Sequence, residues 1–109
     1  MTKVKLNIEK CSLEVEDHAG AGEKGYDTVC ASVSTLVYTL AQNVLFSEKS
    51  GQLREKPEIK LESGKAAVKC RPKTGHKGTV QHVFMVIDIG FRLLALNYPE
   101  YIVLNSDGE

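Results

Sequence analysis

Apolar and polar residues trade places along this chain with two different periods, and each change of period marks a new element. Val4, Leu6 and Ile8 alternate with Lys3, Lys5, Asn7 and Glu9, and Cys11, Leu13 and Val15 then alternate with Ser12, Glu14 and Glu16. A period of two gives each segment one apolar face, which predicts two half-buried strands. From Val29 the apolar positions become Val33, Leu36, Val37, Leu40 and Val44. Spacings of three and four share one face of a helix, here running to about Phe46. Ile59 and Leu61, then Val68 and Cys70, alternate on either side of Glu62-Ser63-Gly64-Lys65 and read as a hairpin. Val80, Val83, Phe84, Ile87, Phe91 and Leu94 return to helical spacing, Tyr98-Pro99 ends that helix, and Tyr101 to Leu104 forms a last strand.

The order ββαββαβ predicts an α+β fold with one mainly antiparallel sheet and both helices on the same face. The connections carry the breakers. Residues Ser47 to Pro57 and Arg71 to Gly78 are polar and rich in glycine and proline. The segment from Ala19 to Gly25 contains Gly20, Gly22 and Gly25, with almost no side chain able to anchor it. A mobile loop is expected there, one that closes over a bound ligand.

A chain of 109 residues, 42% hydrophobic and 26% charged, holds one domain with one modest core. Fourteen basic and fourteen acidic residues cancel, so no electrostatic case exists for a nucleic-acid or membrane-surface partner; a protein or peptide partner suits the balance better. The alternating start, Met1-Thr2-Lys3-Val4-Lys5, lacks the apolar run of a signal peptide and argues against export. The apolar stretch Val80 to Leu96 is interrupted by Asp88, Gly90 and Arg92 and reads as a packed helix rather than a membrane span. Cys11, Cys30 and Cys70 are odd in number and widely spaced, which fits free thiols in a reducing, cytoplasmic setting.

Chemistry concentrates where the second strand gives way to the first helix. Asp27 is placed to cap that helix, which would put Cys30 in its first turn. Free N–H groups and the helix dipole stabilise a thiolate there, lowering a thiol from ~8.5 to roughly 3.5–7.5. His18 stands at the end of the second strand, where the glycine loop can fold the chain back to set it beside Cys30 as ion-pair partner or base. Taken alone, this is also what a small core cysteine and a structural histidine look like.

The spelling of the run decides between these readings. Asp17-His18-Ala19-Gly20-Ala21-Gly22-Glu23-Lys24-Gly25-Tyr26-Asp27-Thr28-Val29-Cys30-Ala31-Ser32-Val33-Ser34 resembles the ribosomal-processing cysteine proteases called Prp. The shared features are a His-Ala pair, a glycine-containing loop, Gly-x-Asp, Val-Cys-Ala, and a serine four residues after the cysteine. These fall on His18-Ala19, Gly25, Asp27, Val29-Cys30-Ala31 and Ser34, and the likeness extends to Tyr98-Pro99-Glu100-Tyr101-Ile102.

The resemblance implies a homodimeric cysteine endopeptidase that needs no cofactor, with Cys30 as nucleophile and His18 as base. Its implied substrate is the N-terminal extension of the large-subunit ribosomal protein numbered twenty-seven. Ala19, Gly20, Ala21, Gly22 and Gly25 would form the substrate loop. Two other roles share these residues: a phage-related protease trimming capsid or scaffold proteins, and a non-catalytic dimeric peptide-binding module.

The chain departs from the family pattern at Asp17, Tyr26 and Thr28, where a glycine, an acidic residue and a branched aliphatic are usual. Asp17 reads either as favouring the imidazolium of His18 or as a solvated strand-end carboxylate. Asp27 reads as helix cap or as orienter of His18, and Ser34 as a site hydrogen-bonder or as a helical serine bonded to backbone. Cys11 and Cys70 sit on the apolar phase of their strands and read as core; His76 reads as a loop residue, and His82 lies beside the apolar stripe of the second helix. No cysteine or histidine pair has zinc-ligand spacing, so no metal is expected.

Overall fold

The computed structural model describes residues 1–17 and 26–107. The elements follow the order expected: β1 (Thr2–Asn7), β2 (Ser12–Asp17), α1 (Tyr26–Lys49), β3 (Glu58–Glu62), β4 (Lys65–Lys69), a short 3-10 turn (Thr74–His76), α2 (Lys77–Asn97) and β5 (Ile102–Ser106). The sheet order is β3-β4-β2-β1-β5. β1–β2, β2–β4 and β3–β4 are antiparallel, and β5 joins β1 in parallel. That last pairing requires a crossover, which α2 supplies.

The strand periodicity survives in detail. Thr2, Val4 and Leu6 on β1, Leu13 and Val15 on β2, Val68 on β4 and Ile102 on β5 are buried, while Lys3, Lys5, Glu14, Glu16 and Val103 face out. Both helices cover the buried face. α1 contributes Val29, Val33, Val37, Leu40, Ala41 and Val44, and α2 contributes Val80, Phe84, Ile87 and Phe91 to one core. Each fully buried side chain of this kind stabilises the fold by about 1.5–3 kcal/mol. By length and composition both helices could cross a membrane, yet each lays a stripe of buried side chains on the sheet.

Boundaries depart from expectation in instructive places. α1 begins at Tyr26, three residues before the apolar stripe; Asp27 and Thr28 are exposed and leave no periodic signal. Asp27 therefore lies inside the first turn rather than at the cap, and it is exposed. Cys30 is the fifth helical residue, in the second turn, where regular geometry assigns its own N–H to the ladder. α1 ends on Gly51, φ 73°, with Gln52 N donating to Ser47 O at 3.0 Å and Gly51 N to Glu48 O at 3.0 Å. This pair of bonds is a Schellman closure, and it needs the left-handed backbone that glycine adopts without strain.

α2 likewise starts at Lys77, before Val80. Cys11 is not in the second strand but in the turn preceding it, with φ 51° and its side chain fully buried. Its amide bonds Ile8 O at 3.1 Å, and its carbonyl accepts from Cys70 N at 3.1 Å. The two cysteines thus meet across the extension of the β2–β4 pair, both in the core as their spacing suggested.

Candidate active site

Three elements converge beside Cys30. β2 delivers Asp17 at its end, paired in register with Thr2 of β1. The β3–β4 hairpin turns at Ser63-Gly64, and Gly64, at φ 78°, offers its carbonyl to Asp17 N at 2.9 Å. Helix α1 supplies Cys30, Ser34 and Tyr38, spaced by four along one side. Between them lies a small cavity of about 100 Å³. Val15, Val33, Val37, Leu61 and Ala66 give it apolar walls, and Asp17, Glu62 and Lys65 bring charge to its edge.

Cys30 is half-buried, whereas Cys11 and Cys70 are buried; among the three thiols it is the one that combines access with a pocket. Its thiol donates to Asp17 Oδ2 at 3.5 Å. The other carboxylate oxygen, Oδ1, accepts from the Thr2 hydroxyl at 3.1 Å. Thr2 is 1% exposed, and its amide is fixed on Tyr101 O at 2.8 Å. The carboxylate is therefore aimed at the sulfur by a buried side chain on a central strand.

Of the residues singled out from the sequence, Cys30 and Ser34 line this cavity together, Ser34 on its exposed rim. Asp27 is not among the lining residues. His18 and the loop residues Ala19, Gly20, Ala21, Gly22 and Gly25 lie outside the described residues. Asp17, the residue before His18, is on the cavity wall, and α1 resumes one turn before Cys30. His76 and His82 are exposed and do not line the cavity.

Sequence reasoning missed the contact between Asp17 and Cys30 and the part played by Thr2. A signal was present. Thr2 and Asp17 fall on the inward phase of strands whose other inward residues are Val4, Leu6, Leu13 and Val15. Polar side chains on an apolar phase must find partners or solvent, and these two find each other.

The other two thiols lie in the core, where the Cys11 thiol donates to Ile8 O at 3.7 Å. Interaction with Cys11 and burial together push the Cys70 thiol well above the ordinary thiol range. Such a group is a poor nucleophile at neutral pH, and Cys11, though the same pair lowers its thiol, is fully buried, which leaves Cys30 as the chemically available cysteine.

A model of the family described as cysteine protease Prp matches residues 1–103. The chain belongs to this family. Among Prp relatives, the ribosomal processing cysteine protease Prp of Mycoplasma genitalium is 31% identical over 104 residues, covering 95% of this chain and 96% of its own length. The fold matches a crystal structure of the essential ribosomal processing protease Prp from S. aureus in complex with a substrate peptide. That match has a TM-score of 0.75 at 19% identity and covers 98% of this chain and 100% of the other. A crystal structure of SMU.848 from Streptococcus mutans matches with a TM-score of 0.66 at 27% identity, covering 96% and 90% of the two chains. As a Prp, the chain is a cysteine protease.

Proposed function

We propose that this Prp removes the N-terminal extension of the large-subunit ribosomal protein numbered twenty-seven, with Cys30 as nucleophile and His18 as base. The observation that carries the reading is Cys30 itself, a partly exposed thiol at the mouth of a cavity with apolar walls, while the other two thiols are buried. The Prp of Mycoplasma genitalium carries ribosomal processing in its name, and the S. aureus protease of the same fold has been crystallised with a substrate peptide.

In the proposed reaction the Cys30 sulfur adds to the scissile carbonyl while the thiol proton passes to His18. The tetrahedral intermediate collapses, the C–N bond breaks, and His18 returns the proton to the leaving amine. Water then hydrolyses the thioester, with His18 again as base, and releases the new carboxylate. Val33, Val37 and Leu61 give the cavity the apolar surface that a hydrophobic segment before the cleaved bond would contact.

Cleavage is proposed to occur in the cytoplasm and in a homodimer. Met85, Val86, Ile89, Leu93 and Leu96 form an exposed stripe along the outer side of α2, from 38% exposed at Met85 to 77% at Leu96. Side chains at these spacings share one helix face, and an apolar face of this kind suits burial against a second copy.

The test is cleavage of a peptide spanning the ribosomal-protein extension. Cys30→Ser is expected to abolish turnover while peptide binding persists, since a serine hydroxyl is not ionised near neutral pH. His18→Ala is expected to lower kcat by about two to four orders of magnitude. Undiminished turnover in Cys30→Ser sinks the mechanism. A wild-type protein that cuts other peptides but not this one sinks the substrate. Light scattering should give twice the chain mass, and Ile89→Lys should shift it toward one.

A further inference from the structure

Asp17 is the carboxylate that touches the Cys30 thiol. Oδ2 accepts the Cys30 thiol at 3.5 Å, Oδ1 accepts the Thr2 hydroxyl at 3.1 Å, and the Asp17 amide is held by Gly64 O at 2.9 Å. A side chain gripped at its second oxygen and at its backbone is not a solvated strand end. Its orientation is set by β1 on one side and by the β3–β4 turn on the other.

A carboxylate in this position acts in one direction. It rewards the neutral thiol, which can donate a hydrogen bond to it, and it repels the thiolate, which cannot. The remaining charges around the sulfur, among the described residues, do not reverse this. Glu62 and Lys65 of the hairpin line the same cavity with opposite signs, Asp27 lies one turn earlier on α1 and is exposed, and Tyr38 and Thr2 are neutral.

We propose that Asp17 is a positioning residue that favours the protonated thiol of Cys30 and so raises the pH at which the nucleophile becomes reactive. The inference deepens the protease reading, resting on it for the identity of the nucleophile. The proton that Asp17 favours on sulfur passes to the base during attack, so no group beyond those already named is required.

The experiment is alkylation of Cys30 by iodoacetamide between pH 5 and 9, read peptide by peptide in a mass spectrometer so that Cys11 and Cys70 are scored separately. Asp17→Asn keeps the shape and a partner for Thr2 but removes the charge. Its alkylation profile is expected to move to lower pH by about one unit, which is about tenfold faster labelling on the rising limb. Asp17→Glu, which keeps a carboxylate at the cavity, should return the profile most of the way to wild type, and it serves as the readout if the asparagine variant does not fold. A structural role alone would alter stability without moving the profile.

An unchanged profile in Asp17→Asn, or a shift to higher pH, overturns the inference; the latter would mean that Asp17 promotes the thiolate. No peptide substrate enters this assay. A moved profile in a protein whose Cys30→Ser variant still cuts peptide would leave the restraint standing and remove the protease mechanism. An unmoved profile with Cys30-dependent cleavage would do the reverse.

Discussion

The crossing of α1 and α2 rests on Gly90, and its replacement sets two known effects against each other. A Cβ at residue 90 would lie 2.8 Å from Leu36 Cδ2 and 3.1 Å from Leu36 Cδ1. Alanine in a helix interior is favoured over glycine by about 1 kcal/mol. Forcing an extra methyl into a packed contact costs about 1–3 kcal/mol. The opposing atoms are the far ends of a half-buried leucine rather than backbone. Leu36 can yield by rotation, so the lower end of that range applies.

Gly90→Ala is therefore expected to leave stability within about 1 kcal/mol of wild type, a change in melting temperature of roughly 4 °C or less for a chain of this size. Gly90→Val adds two more methyls and a stiff branch at the same place and should lose about 2–3 kcal/mol. Its α1 would be pushed from the sheet close to Cys30, so its cleavage rate should fall more than that of Gly90→Ala.

The decisive measurement is a double-mutant cycle with Leu36→Ala, by urea unfolding at one protein concentration because the proposed dimerisation would be linked to stability. With Leu36 shortened, alanine at 90 should show its full helix preference, giving a coupling energy of about 1 kcal/mol or more. Additivity within ~0.3–0.5 kcal/mol would refute the close approach at this crossing.

Two further stability predictions follow from buried groups. Asp88 is 1% exposed, bonds Arg92 Nε through Oδ2 at 2.7 Å, and has no hydrogen-bond partner at Oδ1 among the described residues. Arg92→Leu should destabilise by somewhat less than the ~3–5 kcal/mol of a fully buried pair, since the arginine side chain is 39% exposed and screened; the double replacement Asp88→Leu with Arg92→Leu should recover most of the loss, and denaturant midpoints test both. The Cys70 thiol, pushed up by its interaction with Cys11 and by burial, stays protonated in the fold while the unfolded chain ionises above the ordinary thiol value of about 8.5. The Cys70 contribution is fully present below that pH and falls as pH rises above it, because the native state keeps this proton, whereas the Cys11 thiol, lowered by the same pair, contributes in the opposite sense. Urea midpoints between pH 8 and 10 should therefore lose part of their fall with pH in Cys70→Ala; an equal slope in the variant would refute the assignment.

Much of this molecule is local and was therefore legible in the chain. Alternation in Thr2–Asn7 and Ser12–Asp17 separates inward from outward residues before any partner is known, because strand geometry alone decides it. The stripe from Val29 to Val44 shows a helix for the same reason, and the run from His18 to Ser34 carries its family likeness in its spelling. The start of α1 was hidden because Asp27 and Thr28 are exposed, so periodicity has no hold on them.

Long-range placement belongs to the tertiary structure. A period reveals which side of a strand faces in, but not which element lies opposite, and that choice is made by the packing of all elements at once. It brought Cys11 to Cys70 across 59 residues of chain, set β5 parallel to β1, and turned the carboxylate of Asp17 onto the thiol of Cys30. Thr2 and Asp17 could be seen as polar residues on an apolar face. Only the register that pairs them, and the helix that brings a cysteine above them, made that oddity part of a site.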